Sequence, residues 1–144
     1  MKSPYWKLSF FIPILIGTGG NIGSQTVTTI VRALAIGEIG PQHTFRVLIK
    51  EASTGLMLGL TMAALMFGRA LVTTGANAQV ATVVAITVFS IGLWAATVGS
   101  ILPIILNRFR VDPAVVSAPF ISCLVDTTGL LIYFTVAKAI LPIG

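Results

Sequence analysis

Apolar residues along this chain fall into four long runs: Leu8 to about Ala35, Ala52 to Val72, Val80 to Leu106 and Val115 to Leu141. Each run, wound as an α-helix at about 1.5 Å per residue, is long enough to cross a hydrocarbon layer about 30 Å thick. Polar segments separate them. Gly37 to Lys50 holds Pro41, His43, Arg46 and Lys50, Thr73 to Asn77 is a turn, and Asn107 to Pro113 is a short basic loop. The pattern predicts an all-α, polytopic membrane helical bundle of about four transmembrane helices, forming one domain over residues 1–144. Small residues recur at helical spacing within the runs. Gly55 and Gly59, extended by Ala63, form one seam, and Gly92, Ala96 and Gly99 form another, each suited to close approach of backbones. Pro103 predicts a kink in the third run.

Two stretches break the apolar pattern from within. One is the carboxylate of Asp126, placed by the fourth run near the middle of the membrane, where an ionised aspartate costs about 2.5–3.5 kcal/mol on insertion scales. Helical spacing gathers Ser122, Asp126, Gly129 and Tyr133 on one face beside Pro119 and Cys123, opposite Leu124, Leu131 and Val136. The other is Gly17 to Gln25, GTGGNIGSQ, with its concentration of glycine and polar side chains. Facing lipid it would be ruinous, so it predicts a glycine-broken first span that lines a pore, its free carbonyls and the Asn21 and Gln25 amides holding waters around a cation. The competing reading is close helix packing through Gly19 and Gly23, itself a GxxxG pair, with Asn21 bonding across helices. Neither phosphate-binding glycine motif fits, because Ile22 and Ser24 stand where glycine and lysine are needed.

Composition agrees with the pattern. Hydrophobic residues make up 56% of the chain and charged residues 9%, against about 25% charge in soluble domains, and the mean hydropathy is +0.99. The net charge of +5 is spread over segment ends, which suits anionic headgroups and leaves no basic run for nucleic acid. Tyr5, Trp6 and Lys7 mark a headgroup boundary ahead of the first span. The lysines before Leu8 invite a signal-peptide reading, but the polar stretch after Ile16 leads straight into another helical pattern. Arg32, Arg46, Lys50, Arg108 and Arg110 face one side of the membrane and Lys2, Lys7, Arg69 and Lys138 the other, a slight lean towards cytosolic loops. A single cysteine, Cys123, excludes an internal disulfide and a zinc cluster. His43 reads as solvated, and Asp112 as the N-cap of the last helix with Pro113 at its first position. No nucleophile with a base and no acid–base pair can be assembled, so the chain is not read as an enzyme.

These residues carry a family resemblance. The order PILIGTGGNIGSQ, RALAIGEI, KEASTGLMLGL and VDPAVVSAPFISCLVDTTGLLIYF resembles the transmembrane domain of the MgtE family of magnesium channels and transporters, from about Phe10 to Ala139. The resemblance implies a hydrated Mg2+ on the axis of a homodimer in the plasma (inner) membrane. It implies ligation by Asp126, Asn21, Gly20 and Gly17, with Ser24, Gln25 and Ser122 lining the pore and Glu51 in a structural or gating role. It also implies a further helix and cytosolic N and CBS domains ahead of the GTGGN span; none of these is in this sequence, so another chain is a possible source of them.

Magnesium keeps several waters and takes few carboxylates, which suits one Asp per subunit. Mn2+ and Co2+ remain open on the same coordination chemistry, whereas one thiol and no transmembrane histidine disfavour soft metals. Two other functions stay open from the residues: a proton-coupled divalent cation transporter using Asp126 as a relay, and a non-transporting membrane assembly subunit in which Asp126 bonds to Asn21 or Gln25.

Overall fold

The computed structural model of the chain describes residues 5–73, 75 and 77–141. Lys2, counted above in the charge balance, and Thr74 and Ala76 of the second turn lie outside them. Helices follow in the order α1 (Tyr5–Ser9), α2 (Ile12–Ala35), α3 (Thr44–Thr73), α4 (Ala78–Arg108) and α5 (Ala118–Ile140), with single 3-10 turns at Pro41–His43 and Pro113–Val115. Among the described residues there is no strand. Three helices, α3, α4 and α5, are both long and apolar enough to cross a membrane. At 24 residues α2 has the length, but Thr18, Asn21, Ser24, Gln25, Thr28 and Thr29 lower its apolarity.

The helix boundaries differ from the pattern in informative ways. The first run divides at Phe10 and Phe11, leaving α1 as a separate turn and a half. The expected loop over Gly37 to Lys50 is shorter, because α3 begins at Thr44 and takes Arg46, Lys50 and Glu51 into its first turns. Asp112 does cap, accepting from Ala114 N at 2.9 Å, but what it caps is the Pro113–Val115 turn. Ser117 is the N-cap of α5 and accepts from Phe120 N at 3.4 Å. Asp126 therefore stands about 12 Å from the N-terminal end of α5 and about 4.5 Å short of its midpoint.

Two helix ends close in the same way. After α2, Gly37 N donates to Leu34 O and Glu38 N to Ala33 O, the paired bonds of a Schellman motif, with Gly37 at φ +72°. After α4, Arg110 N donates to Asn107 O and Val111 N to Leu106 O, and here the left-handed position, φ +58°, is held by an arginine.

Packing centres on α4, which touches α2, α3 and α5 and supplies buried residues along most of its length, from Val80 to Pro103. The predicted seams meet each other. A Cβ at Gly55 would lie 2.6 Å from Ala96 Cβ, and one at Gly92 would lie 3.1 Å from Gly59 Cα. Gly99 faces α2, where a Cβ would meet Gly23 O at 2.9 Å. Helix α3 is apolar inside out: its buried positions include Gly55, Gly59 and Ala70, while Leu56, Met57, Leu58, Leu60, Leu65 and Phe67 are exposed. In water such a surface would be a liability; in a bilayer large side chains face lipid and small ones let backbones touch. The protein is a multi-pass membrane protein. From a buried position Tyr133 Oη donates to Leu8 O at 2.9 Å, fastening α5 to the start of the chain, and the exposed Trp94 donates through Nε1 to Thr128 Oγ1 at 2.8 Å.

Candidate functional site: the groove between α2 and α5

The glycine stretch is helical throughout. Ile12–Ala35 is one continuous α-helix, so the expected glycine break, with its free carbonyls, is not formed. The physical reason lies in what the glycines touch. A Cβ at Gly19 would fall 2.5 Å from Ile91 Cγ2 and 2.8 Å from Val125 Cγ1, and one at Gly23 would fall 2.7 Å from Ile121 Cγ2. These glycines let α2 lie against α4 and α5, and a helix that satisfies its own backbone can do this at membrane depth where a broken one cannot. The GxxxG packing reading of Gly19 and Gly23 therefore holds. Its companion does not, since Asn21 is exposed and no hydrogen bond joins it to another helix among the described residues.

Gly20 serves a different purpose. A Cβ there would lie 3.1 Å from Asp126 Oδ1 and 3.5 Å from Ser122 Oγ, so the missing side chain makes room for the carboxylate. One turn along each helix, Ser24 Oγ and Ser122 Oγ are 2.7 Å apart. Ser24 Oγ lies 3.2 Å from Ala118 O, and Ser122 Oγ donates to Gly20 O at 3.4 Å. These bonds fix the two helices in register. They do not extend to the carboxylate: Asp126 Oδ1 is buried and has no hydrogen-bond partner among the described residues. A buried, unpaired carboxylate oxygen is costly, and native structures tolerate one where it has a task or an ion to meet.

Sequence spacing places the remaining candidates around this centre. Gly17, Gly20, Asn21 and Ser24 share one stripe of α2, with Gly17 and Asn21 on its exposed side. A Cβ at Gly17 would meet nothing within 4 Å. On α5, Pro119, Cys123 and Thr127 are exposed beside half-buried Ser122 and Asp126. The face expected to hold Asp126 with Gly129 and Tyr133 divides: Gly129 and Tyr133 are buried, Gly129 against Ile91 of α4, and only Ser122 and Asp126 join α2 at the groove. The result is a polar trough along the line where α2 meets α5, with one carboxylate, two hydroxyls and an amide, bordered by the exposed Gly17, Asn21, Pro119, Cys123 and Thr127. No group of three or more His, Cys, Asp or Glu side chains capable of holding a metal occurs among the described residues. Such a trough suits an ion that keeps its waters and asks for few protein ligands.

A family model described as "MgtE: Divalent cation transporter" matches residues 12–136. The chain belongs to the MgtE family. It is 43% identical over 134 residues to the magnesium transporter MgtE of Thermus thermophilus, covering 93% of this chain. It is 35% identical to that of Bacillus subtilis over 92% of the chain, and 33% identical to that of Enterococcus faecalis over 91%. In each case the chain spans 29% of the relative's length. Transport without covalent chemistry is the family's activity, in keeping with the absence of an enzyme motif in the sequence.

Within this MgtE domain the sequence did not point to Thr28, Thr29 or Thr54. Thr28 and Thr29 continue the stripe of Ser24 and Gln25 by one helical turn, and these four residues line an open cavity of about 390 Å3 on the flank of α2. The signal was present in the i, i+4 spacing, but threonine in an apolar run reads equally well as a helix residue bonded to its own backbone. Glu51, in the first turns of α3, is buried at 9% exposed and lines a cavity with residues of α2 and α4.

Proposed function

We propose that this chain is the pore-lining part of a magnesium transporter, in which hydrated Mg2+ passes Asp126 in the trough between α2 and α5. The observation that carries the reading is the Asp126 Oδ1 atom, buried beside Gly20 and without a partner among the described residues. The names of the relatives supply the ion: each is called a magnesium transporter. Asn21, in the same stripe of α2, presents its amide to the ion's waters, and Ser24 and Ser122 form the wall. Gly20 admits the carboxylate, and Gly17 keeps the entrance free of side chains. Because exposed residues border the trough, a second copy of the chain facing the first across a two-fold axis would close it and bring two Asp126 carboxylates to one ion. The setting is the plasma (inner) membrane, and any regulatory helix or domain is supplied from outside the residues described. Mn2+ and Co2+, of similar size and hydration, are expected competitors.

The test is Mg2+ entry into vesicles holding the reconstituted chain, with and without an imposed potential and against Mn2+ and Co2+. Asp126→Ala should abolish entry with the helical content unchanged; flux equal to the parent's would reject the site. The same orphan oxygen also suits a bound proton. Flux that follows the proton gradient and ignores the potential would make Asp126 a relay in a coupled transporter, and no flux in any protein would favour an assembly subunit.

A further inference from the structure

On the far side of α2 from Asp126 lies a second polar chamber that the transport reading leaves unused. It has a volume of about 160 Å3 and is lined by Gln25, Thr26 and Thr29 of α2 and by Glu51 and Thr54 of α3, with Ile22, Leu58 and Ala96 as its apolar walls. Glu51 is the only ionisable residue of this lining and is 9% exposed. No hydrogen bond or ion pair joins its carboxylate to any described residue. Its sequence neighbour Lys50 is exposed, as is Arg46 one turn before. Nine-tenths of the residue is covered, and its side chain lines the chamber, where a cation could meet the carboxylate.

Two of the three hydroxyls in the lining are set to accept rather than to donate. Thr29 Oγ1 donates to Gln25 O at 2.9 Å and Thr54 Oγ1 to Lys50 O at 3.0 Å. Their protons are therefore committed to backbone, and their lone pairs are left for the chamber. Waters around a hard cation offer protons outward, so they call for a lining of this kind, acceptors with one carboxylate. The space holds several waters. The chamber neighbours the cavity that Ser24 and Thr28 line, Gln25 and Thr29 being common to both, and Ser24 bonds Ser122 beside Asp126.

We propose that Glu51, with Thr54, Thr29 and Gln25, forms a second binding site for a hydrated divalent cation, one per chain, joined to the Asp126 trough by the threonine-lined flank of α2. The proposal rests on the cation-transport reading and extends it, making Glu51 a station on the ion's route.

Mn2+ serves as the probe, titrated into the purified full chain in detergent, with bound ion counted by electron paramagnetic resonance. Glu51→Gln should remove one ion per chain and leave the ion held through Asp126, while Asp126→Asn should do the reverse. Thr54→Val and Glu51→Asp keep the fold's charge and should weaken only the Glu51 ion, by about tenfold to a hundredfold. The proposal is overturned if Glu51→Gln binds as many ions as the parent, or if Thr54→Val and Glu51→Asp leave every affinity unchanged. Loss of nothing in Asp126→Asn speaks against the trough instead and leaves the Glu51 count to be read by itself.

Discussion

The seams α2–α5 and α3–α4 are both built on glycine, and they do different work. Between α3 and α4, Gly55 and Gly59 meet Gly92 and Ala96, and the contact is backbone against backbone with nothing polar between. Between α2 and α5, Gly19 and Gly23 receive the side chains of Val125 and Ile121, but one residue on, Gly20 faces a carboxylate and Ser24 faces a serine. A single helix thus presents a packing stripe and a polar stripe about 100° apart. Glycine spacing alone does not tell them apart. The difference comes from the partner helix: α4 offers α3 apolar residues and backbone, Phe89, Gly92 and Ala96, whereas α5 offers α2 alternate apolar and polar positions.

The contrast can be broken most severely at the carboxylate. Asp126→Asn keeps size and hydrogen-bonding capacity but removes the charge, and Mg2+ flux should fall by about tenfold to a hundredfold, the worth of one charge-assisted contact of about 1.5–3 kcal/mol. Unaltered flux in that protein would mean the polar seam is only another packing seam. Next in size is Gly59→Val. A Cβ at Gly59 already stands 3.0 Å from Phe89 O, a backbone atom that cannot swing aside, so α3 and α4 must part. Thermal unfolding in detergent should register about 1–3 kcal/mol of destabilisation.

Gly20→Ala tests the boundary between the two kinds of seam. Its Cβ would press on Asp126 Oδ1 at 3.1 Å, the end of a side chain that can shift, so flux should drop by up to about tenfold with little change in melting. Gly17→Ala is its control. Nothing lies within 4 Å of that Cβ, and alanine should add up to about 1 kcal/mol of helix stability. Flux should fall only slightly, because a single methyl group enters the entrance that Gly17 keeps clear, and a large loss would restore the idea that Gly17 must leave the helix. The smallest effect is expected at Arg110→Gly, where relief of the left-handed backbone, φ +58°, should raise the melting point by the equivalent of about 1 kcal/mol.

Much of this molecule could be read from residue order. Four apolar runs gave four long helices, and the Gly55–Gly59 and Gly92–Ala96 seams are where spacing put them, because period and side-chain size are local properties of the chain. Asp126 announced itself for a related reason: one charge in an apolar run stands out whatever surrounds it. The path of the glycine stretch did not follow from its composition, since four glycines among polar residues describe a broken helix and a tightly packed one equally well. What decided it was the shape of Ile91, Ile121 and Val125, contributed by helices about 70 to 100 residues away in sequence. The same holds for Glu51. By sequence it sits between Lys50 and Ala52 at the edge of a polar loop; its burial comes from the packing of α3 along α4, a helix about 30 residues further along the chain. Sequence alone determined which elements form and which residues are out of keeping with them. Only the tertiary structure decided which of those residues face each other, because packing is settled by surfaces that come from distant parts of the chain and that no local pattern contains.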